Sequence, residues 1–309
     1  MLGVALHEGD SFPVGKVDFL KMYPLSFYEF LSAIGKNKLL ELLQSKDIES
    51  ITSFKEELTE LLRTYYFVGG MPASINSYIS NGNFVDVREV QNTILNAYKL
   101  DFSKHIPLSS YNRVDQIWDS IPRQLSKENK KFVYNVVDPK AKSKEYSIAL
   151  NWLIKTGLTY SITKISRPSI PIRAYEEDNF FKLYTLDVGL LGAMSDLSAK
   201  AVIDGDRVFT EFKGALTEQY VLQQMKSMGI KSIHYWTSSA TAEIDFVINL
   251  DDFVVPIEVK ASTNKQAKSL KIYKEKYSPK KSFRISLNDY KASGDLHNIP
   301  LYAVESLLT

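Results

Sequence analysis

The 309-residue chain has no cysteine. Disulfides, thiolate metal sites and cysteine nucleophiles are therefore excluded, and the cytoplasm is the expected location. Histidine is scarce: His7, His105, His234 and His297 are scattered, with no H-x-x-x-H or H-E-x-x-H spacing, so no zinc site is expected. No apolar run approaches the roughly 20 residues of a membrane-spanning helix. Residues 1–15 lack the basic start and long apolar stretch of a signal peptide. Charge of one sign is also missing, because 38 Lys+Arg against 36 Asp+Glu leave a net +2. Any nucleic-acid surface must then come from local clustering of Lys and Arg. Finally, the early Gly15-Lys16 pair lacks the upstream glycine and the following Ser/Thr of a phosphate-cradling loop. No ATP site and no ATP hydrolysis are expected.

What is present is ordinary for a soluble globular chain, at 44% apolar and 24% charged residues. The length suggests about two domains, with room for three. Two short extended segments, 2–6 and 17–22, flank a Gly/Asp/Ser/Pro turn. Beyond Pro24, Ser26 and Glu29 have capping-box spacing. Residues 54–66 and 83–105 read as helices, separated by Gly69-Gly70-Met71-Pro72, which reads as a structural turn. From 112 onward, helices at 114–125 and 146–155 precede strands at 158–165 and 181–186. Helices followed by a hairpin outline a winged helix-turn-helix, whose last helix would face DNA. A third unit starts after Asp206. It has a helix at 210–228, strands at 232–237, 243–250 and 253–259, a helix at 266–277, a strand at 282–285 and another at 300–304. The expected class is mixed α/β, divided at 1–110, 111–205 and 206–309.

The candidate chemistry lies in the third unit. Asp245 interrupts the apolar alternation of Ile244 and Phe246, and a carboxylate there carries a desolvation cost unless it meets a partner or metal. Glu258 and Lys260 are two apart on the next strand and share a face. Asn249–Asp252 is short enough to fold the two strands into an antiparallel hairpin, with Asp245 at its open end near Glu258. Glu218 lies on the preceding helix. Hard oxygen ligands, Asp245 and Glu258 first among them, suit Mg²⁺ or Mn²⁺. A lysine beside such a cation can orient water and offset phosphate charge. Lys265, Lys268 and Lys271, near the following helix, are candidates for a phosphate backbone. Asp187 reads as a helix cap.

The order Glu218, Asp245, Glu258-Val259-Lys260 on helix, strand and strand resembles the PD-(D/E)XK nuclease superfamily. The wider chain is similar to bacterial and archaeal AAA-type ATPases that end in a domain of unknown function with a nuclease-like fold. Five segments carry this resemblance: Leu2-Gly3-Val4-Ala5-Leu6; Tyr23-Pro24-Leu25-Ser26-Phe27-Tyr28-Glu29-Phe30-Leu31; Gly69-Gly70-Met71-Pro72; Phe181-Lys182-Leu183-Tyr184 with Asp187-Val188-Gly189-Leu190-Leu191; and the two carboxylate strands. It implies an ATPase remnant at 1–110 without its phosphate loop, as in a fragment or truncated product, then a winged-helix-like middle and a nuclease-like end. The implied function is DNA binding or Mg-dependent DNA cleavage by Glu218, Asp245, Glu258 and Lys260. The alternative is a non-enzymatic module that binds a protein partner or a second copy of the chain.

Overall fold

Ser26 and Glu29 start the helical half as their spacing predicts. The Ser26 N–H donates to Glu29 Oε2 at 2.7 Å and the Glu29 N–H to Ser26 Oγ at 3.3 Å, closing a reciprocal cap. The structure, a computed structural model, describes residues 16, 18, 20–106, 108–203, 210–238, 242–261 and 268–308. The extended segment expected at 2–6 lies outside the described residues, as do Val17, Phe19 and Lys265, and residues 20–22 have no regular structure.

The first helices are α1 (Phe27–Ala33), α2 (Asn37–Ser45), α3 (Ile48–Ser53), α4 (Lys55–Val68), α5 (Pro72–Asn81), α6 (Phe84–His105) and α7 (Leu108–Leu125). A short α8 (Tyr134–Val137) and α9 (Ser143–Lys155) lead into strands β1 (Thr159–Ile165) and β2 (Glu176–Thr185). Then come α10 (Val188–Met194), α11 (Ala199–Ile203) and α12 (Thr210–Ser227). The rest comprises β3 (Ile233–Thr237), β4 (Glu243–Leu250), β5 (Phe253–Val259), α13 (Lys268–Tyr277), β6 (Ser282–Ser286), β7 (Lys291–Ser293), β8 (Leu296–Pro300) and α14 (Val304–Leu307). The class is mixed α/β. The strand expected at 300–304 is instead a 3-10 turn, Leu301–Ala303, running into α14, while the strand itself is β8. Residues 301–304 are all buried, and a short run apolar on every side has no period to separate strand from helix.

All eight described strands form one sheet in the order β2-β1-β3-β4-β5-β6-β8-β7. The hairpin β1–β2 is antiparallel, yet β1 also pairs in parallel with β3 through Lys164–Tyr235 and Ile165–Trp236. The middle hairpin is therefore an extension of the C-terminal sheet. β4 and β5 are antiparallel, with Phe246 opposite Ile257 and Leu250 opposite Phe253. One face of the sheet joins the large core with the helices, including Tyr184, Tyr235, Phe246, Ile257 and Val259. The other face makes a smaller core of Ile165, Trp236, Ile244, Val247, Leu270 and Tyr273 beneath α13.

The large core is continuous from α1 to α14. Tyr65 on α4 packs edge-on against Phe27 and Tyr220, with centroids at 5.7 and 5.9 Å. Such pairs add directional contact to the area they bury. The Gly69-Gly70 turn lies where the chain passes closest to its neighbours. Gly69 has φ +74°, and a Cβ there would stand 2.3 Å from Asp187 Oδ1. At Gly70 a Cβ would stand 2.2 Å from the Leu25 carbonyl. Only glycine fits both constraints, and the segment is a structural turn. Asp187 caps α10 as expected, accepting from the Leu190 N–H at 2.9 Å. It also accepts from the Gly70 N–H at 2.6 Å and the Gln223 amide at 3.1 Å, joining the turn to α10 and α12.

Candidate functional site

A one-residue irregularity positions the central carboxylate. His234 pairs with Val247 and Trp236 with Ile244, so β4 spends three steps where β3 spends two. Such a bulge re-aims a side chain. Ile244 and Val247 both enter the small core, whereas Phe246 enters the large one. Asp245 turns with Phe246 toward the helical side, where its electrostatic neighbours are Glu218, Lys182, Lys130 and Glu243. Its Oδ2 accepts from the Val259 N–H at 2.8 Å, tying it to the end of β5.

Glu218 is buried on the inner face of α12, and its two oxygens have different partners. Lys130 Nζ donates to Oε1 at 2.8 Å, and the Tyr184 hydroxyl donates to Oε2 at 2.9 Å. Lys182 Nζ lies 3.8 Å from Oε2 and 2.5 Å from Glu243 Oε1. Lys182 is 0% exposed, in the middle of β2, with its ammonium over the Tyr235 ring. Lys130 is brought in by the turn after α7, which continues into Lys131 bridged to Lys182 and Phe132 bonded to Phe181.

These contacts set the proton affinities. Burial works to raise the Glu218 carboxyl, but the Lys130 and Lys182 ammoniums and the bonds from Lys130 and Tyr184 outweigh it. The group is held below the usual carboxylate range. Asp245 is pushed up, first by burial and then by the Glu218 charge beside it, against the pull of the two lysines. Lys182 is raised despite its burial, chiefly by Glu218 and Glu243. The group lines one wall of a cleft of about 770 Å³, whose lining includes Lys127, Lys130, Glu218, Glu243, Asp245 and Lys260.

Glu258 and Lys260 do share a side, with Lys260 Nζ 3.2 Å from Glu258 Oε1. Their relation to the other two differs. Ile257 and Val259 belong to the large core, so Glu258 between them faces the α13 side, where Val254 also packs. There Glu258 is buried, with Arg284 Nε 3.7 Å from its Oε2. Thus Glu218 and Asp245 are brought together, Lys260 reaches the cleft rim from the end of β5, and Glu258 points away. Among the described residues, no group of three or more His, Cys, Asp or Glu is arranged to hold a metal ion. On α13, Lys271 pairs with Glu275 at 3.8 Å, Lys274 with Asp295 at 2.7 Å, and Lys268 is exposed.

Sequence reasoning missed Lys130, Lys182, Tyr184 and Glu243. The signal for Lys182 was present: like Asp245, it is a charge inside an apolar strand, flanked by Phe181 and Leu183. Glu243 lies two residues before Asp245 on the same strand. Lys130 was legible only as part of the basic run 127–131, since its partner is far along the chain.

Known proteins add the following. No curated protein and no solved structure matches the chain. Residues 59–201 match the model of a domain of unknown function (DUF8612), and residues 213–304 match that of another, DUF4143. The candidate cleft spans both matches, for Lys130 and Lys182 lie in the first, and Glu218, Glu243 and Asp245 lie in the second, a domain found at the C-termini of AAA-ATPase-associated proteins.

Proposed function

We propose that the cleft binds a phosphodiester of DNA beside a divalent cation, as a nuclease-type site in the C-terminal part of an AAA-ATPase-associated protein. One observation carries this reading. The buried Glu218 and the half-buried Asp245 are held close enough for one to raise the proton affinity of the other, on the wall of a cleft rimmed by lysines. A fold tolerates such like-charge crowding most readily where a cation can relieve it. The donor set fits a hard dication, which takes one or two carboxylates and keeps several waters. Glu218 and Asp245 would hold Mg²⁺ or Mn²⁺, and Glu258 stands outside that set. When bound, the cation activates water and offsets charge on the phosphoryl group.

The chain's own groups do the rest. Lys127 and Lys260 line the cleft and offset phosphate charge as point ammoniums. Tyr184 and Lys182 fix the Glu218 carboxylate from behind, so the face toward the cleft is pre-oriented. The winged-helix-like reading of α7 to β2 supplies a second contact to DNA. The outward face of α9 carries Lys144, Ile148, Asn151 and Lys155, with Ile148 70% exposed. Lysines suit phosphates, and an amide and an aliphatic tip suit base edges.

A second reading is a non-enzymatic interaction module. It is favoured by the lysines themselves, because Lys130 and Lys182 already neutralise much of the carboxylate charge. The two readings part on cleavage. The purified chain is incubated with single-stranded, duplex and branched DNA in Mg²⁺ or Mn²⁺, beside Asp245→Ala, Glu218→Gln and Lys260→Ala. Cleavage lost in the first two variants and reduced in the third supports the nuclease reading. Cleavage unchanged in all three excludes this site, and neither cleavage nor DNA binding by the parent chain favours the module.

A further inference from the structure

Among the described residues, three carboxylates, Glu218, Glu243 and Asp245, face two ammoniums, Lys130 and Lys182. With all five ionised, the cluster is one positive charge short. The two lysines are not equivalent. Lys182 is 0% exposed, lies mid-strand and is bound to Glu243 at 2.5 Å. It cannot leave without opening the sheet. Lys130 lies on a turn at φ 49°, lines the open cleft, and pairs with the cluster through Glu218 Oε1. Its departure would expose one carboxylate oxygen and disturb no strand.

We propose that Lys130 is a built-in competitor of the divalent cation: it occupies Glu218 in the cation-free protein and is displaced from it when the cation binds. Exchanging a single charge for a double one closes the deficit of the cluster. It also frees the turn at 126–130, which belongs to the first matched region, from a residue of the second. Cation binding is thereby coupled to the contact between the two regions. The inference rests on the cation reading of Glu218 and Asp245, and it adds what that reading lacks, namely the group that must be evicted.

The probe is Mn²⁺ alone, without nucleic acid, with free ion followed by electron paramagnetic resonance. The parent chain, Lys130→Gln, Glu218→Gln, the double variant and Lys127→Gln are titrated. Removal of a charged hydrogen-bonding competitor predicts roughly tenfold tighter Mn²⁺ binding in Lys130→Gln. Little gain is predicted in Lys127→Gln, which alters the net charge equally. The double variant should bind as weakly as Glu218→Gln. A second measurement needs no variant: hydrogen exchange at the amides of 126–130 in the parent chain should speed up on adding Mn²⁺. Mn²⁺ binding that depends on Glu218 but is unchanged in Lys130→Gln, or that leaves exchange in the turn unchanged, overturns the competition and leaves the cation reading standing. Absence of Glu218-dependent Mn²⁺ binding in every variant overturns the cation reading and the inference together.

Discussion

Helix α12 serves two buried carboxylates in different ways. Near its C-terminal half, Gln223 reaches Asp187, a carboxylate satisfied by neutral donors: the Gly70 and Leu190 N–H groups and the Gln223 amide. One turn and a half earlier, Glu218 is satisfied by Lys130, Lys182 and a tyrosine hydroxyl, beside an open cleft. Burial raises the Asp187 carboxyl, whereas cations hold Glu218 down and Glu218 in turn raises Asp245. The neutral region is a joint between elements in which Asp187 is fully buried. The ionic region carries charge of both signs next to space. Burial alone does not separate a structural carboxylate from a candidate functional one; the kind of partner and the adjoining volume do.

The largest effect expected is at the neutral joint. Asp187→Ala strands two backbone donors and an amide in the core, each at a cost of about 1 to 3 kcal/mol, so a loss of roughly 5 kcal/mol is expected by denaturant unfolding. No single partner deletion should rescue it, because two of the three donors are backbone groups. A loss below about 1 kcal/mol would break the distinction between the regions. At the ionic region, Lys182→Met leaves Glu243 and Glu218 short of a cation and should cost about 3 to 5 kcal/mol. Here rescue is expected: adding Glu243→Gln should recover more than half of that loss, since replacing both members of a buried pair is far cheaper than breaking one. A double variant no more stable than Lys182→Met would show that the cluster does not behave as an ion network.

A third carboxylate tests the comparison from between the two. Glu305 on α14 accepts from the Ser26 hydroxyl at 2.9 Å and the Tyr28 N–H at 3.0 Å, neutral donors like those of Asp187. It nevertheless lines a cleft of about 660 Å³. Burial pushes it up to about 7, partly offset by those two bonds and aided by Glu29 nearby. The folded protein thus keeps a proton that the unfolded chain gives up in the ordinary carboxylate range. Stability from this group is full below that range, falls as pH rises toward about 7 and then levels off, by up to about 3 kcal/mol in all. Glu305→Gln should remove this slope when unfolding is followed from pH 4 to 8. An unchanged slope would assign it to the other raised carboxyls, Asp245 and Asp187, instead.

The legible and illegible parts of the chain divide along range in sequence. β4 and β5 were read to the residue because their alternation and the short turn between them are local signals. Asp245 stood out as a carboxylate inside an apolar strand, whereas Glu218 entered only through the order of the motif it resembles. The common side of Glu258 and Lys260 follows from period two, but whether Asp245 shares it depends on the bulge opposite Tyr235, and a slip of one residue exchanges the faces. Pairing of β1 with β3, and of Lys130 with Glu218, joins segments far apart in the chain, and no local pattern announces such contacts.

The smallest effect expected is on α13, where stability and binding should come apart. Lys271 and its partner Glu275 are both largely exposed, at side-chain values of 79% and 64%. An exposed pair of this kind contributes about 0 to 1 kcal/mol, so Lys271→Gln should leave unfolding nearly unchanged. If the helix lies along a DNA backbone, the same change removes one phosphate contact. Affinity then falls by a similar factor for every sequence, and the slope of log affinity against log salt decreases by about one. Lys274 offers the internal contrast, since its ammonium is already engaged with Asp295 at 2.7 Å. Lys274→Gln should cost some stability and change the salt slope less. Equal slopes in the parent chain and in Lys271→Gln would make α13 a solvated helix, and would leave the cleft beside Glu218 and Asp245 to account for any DNA binding alone.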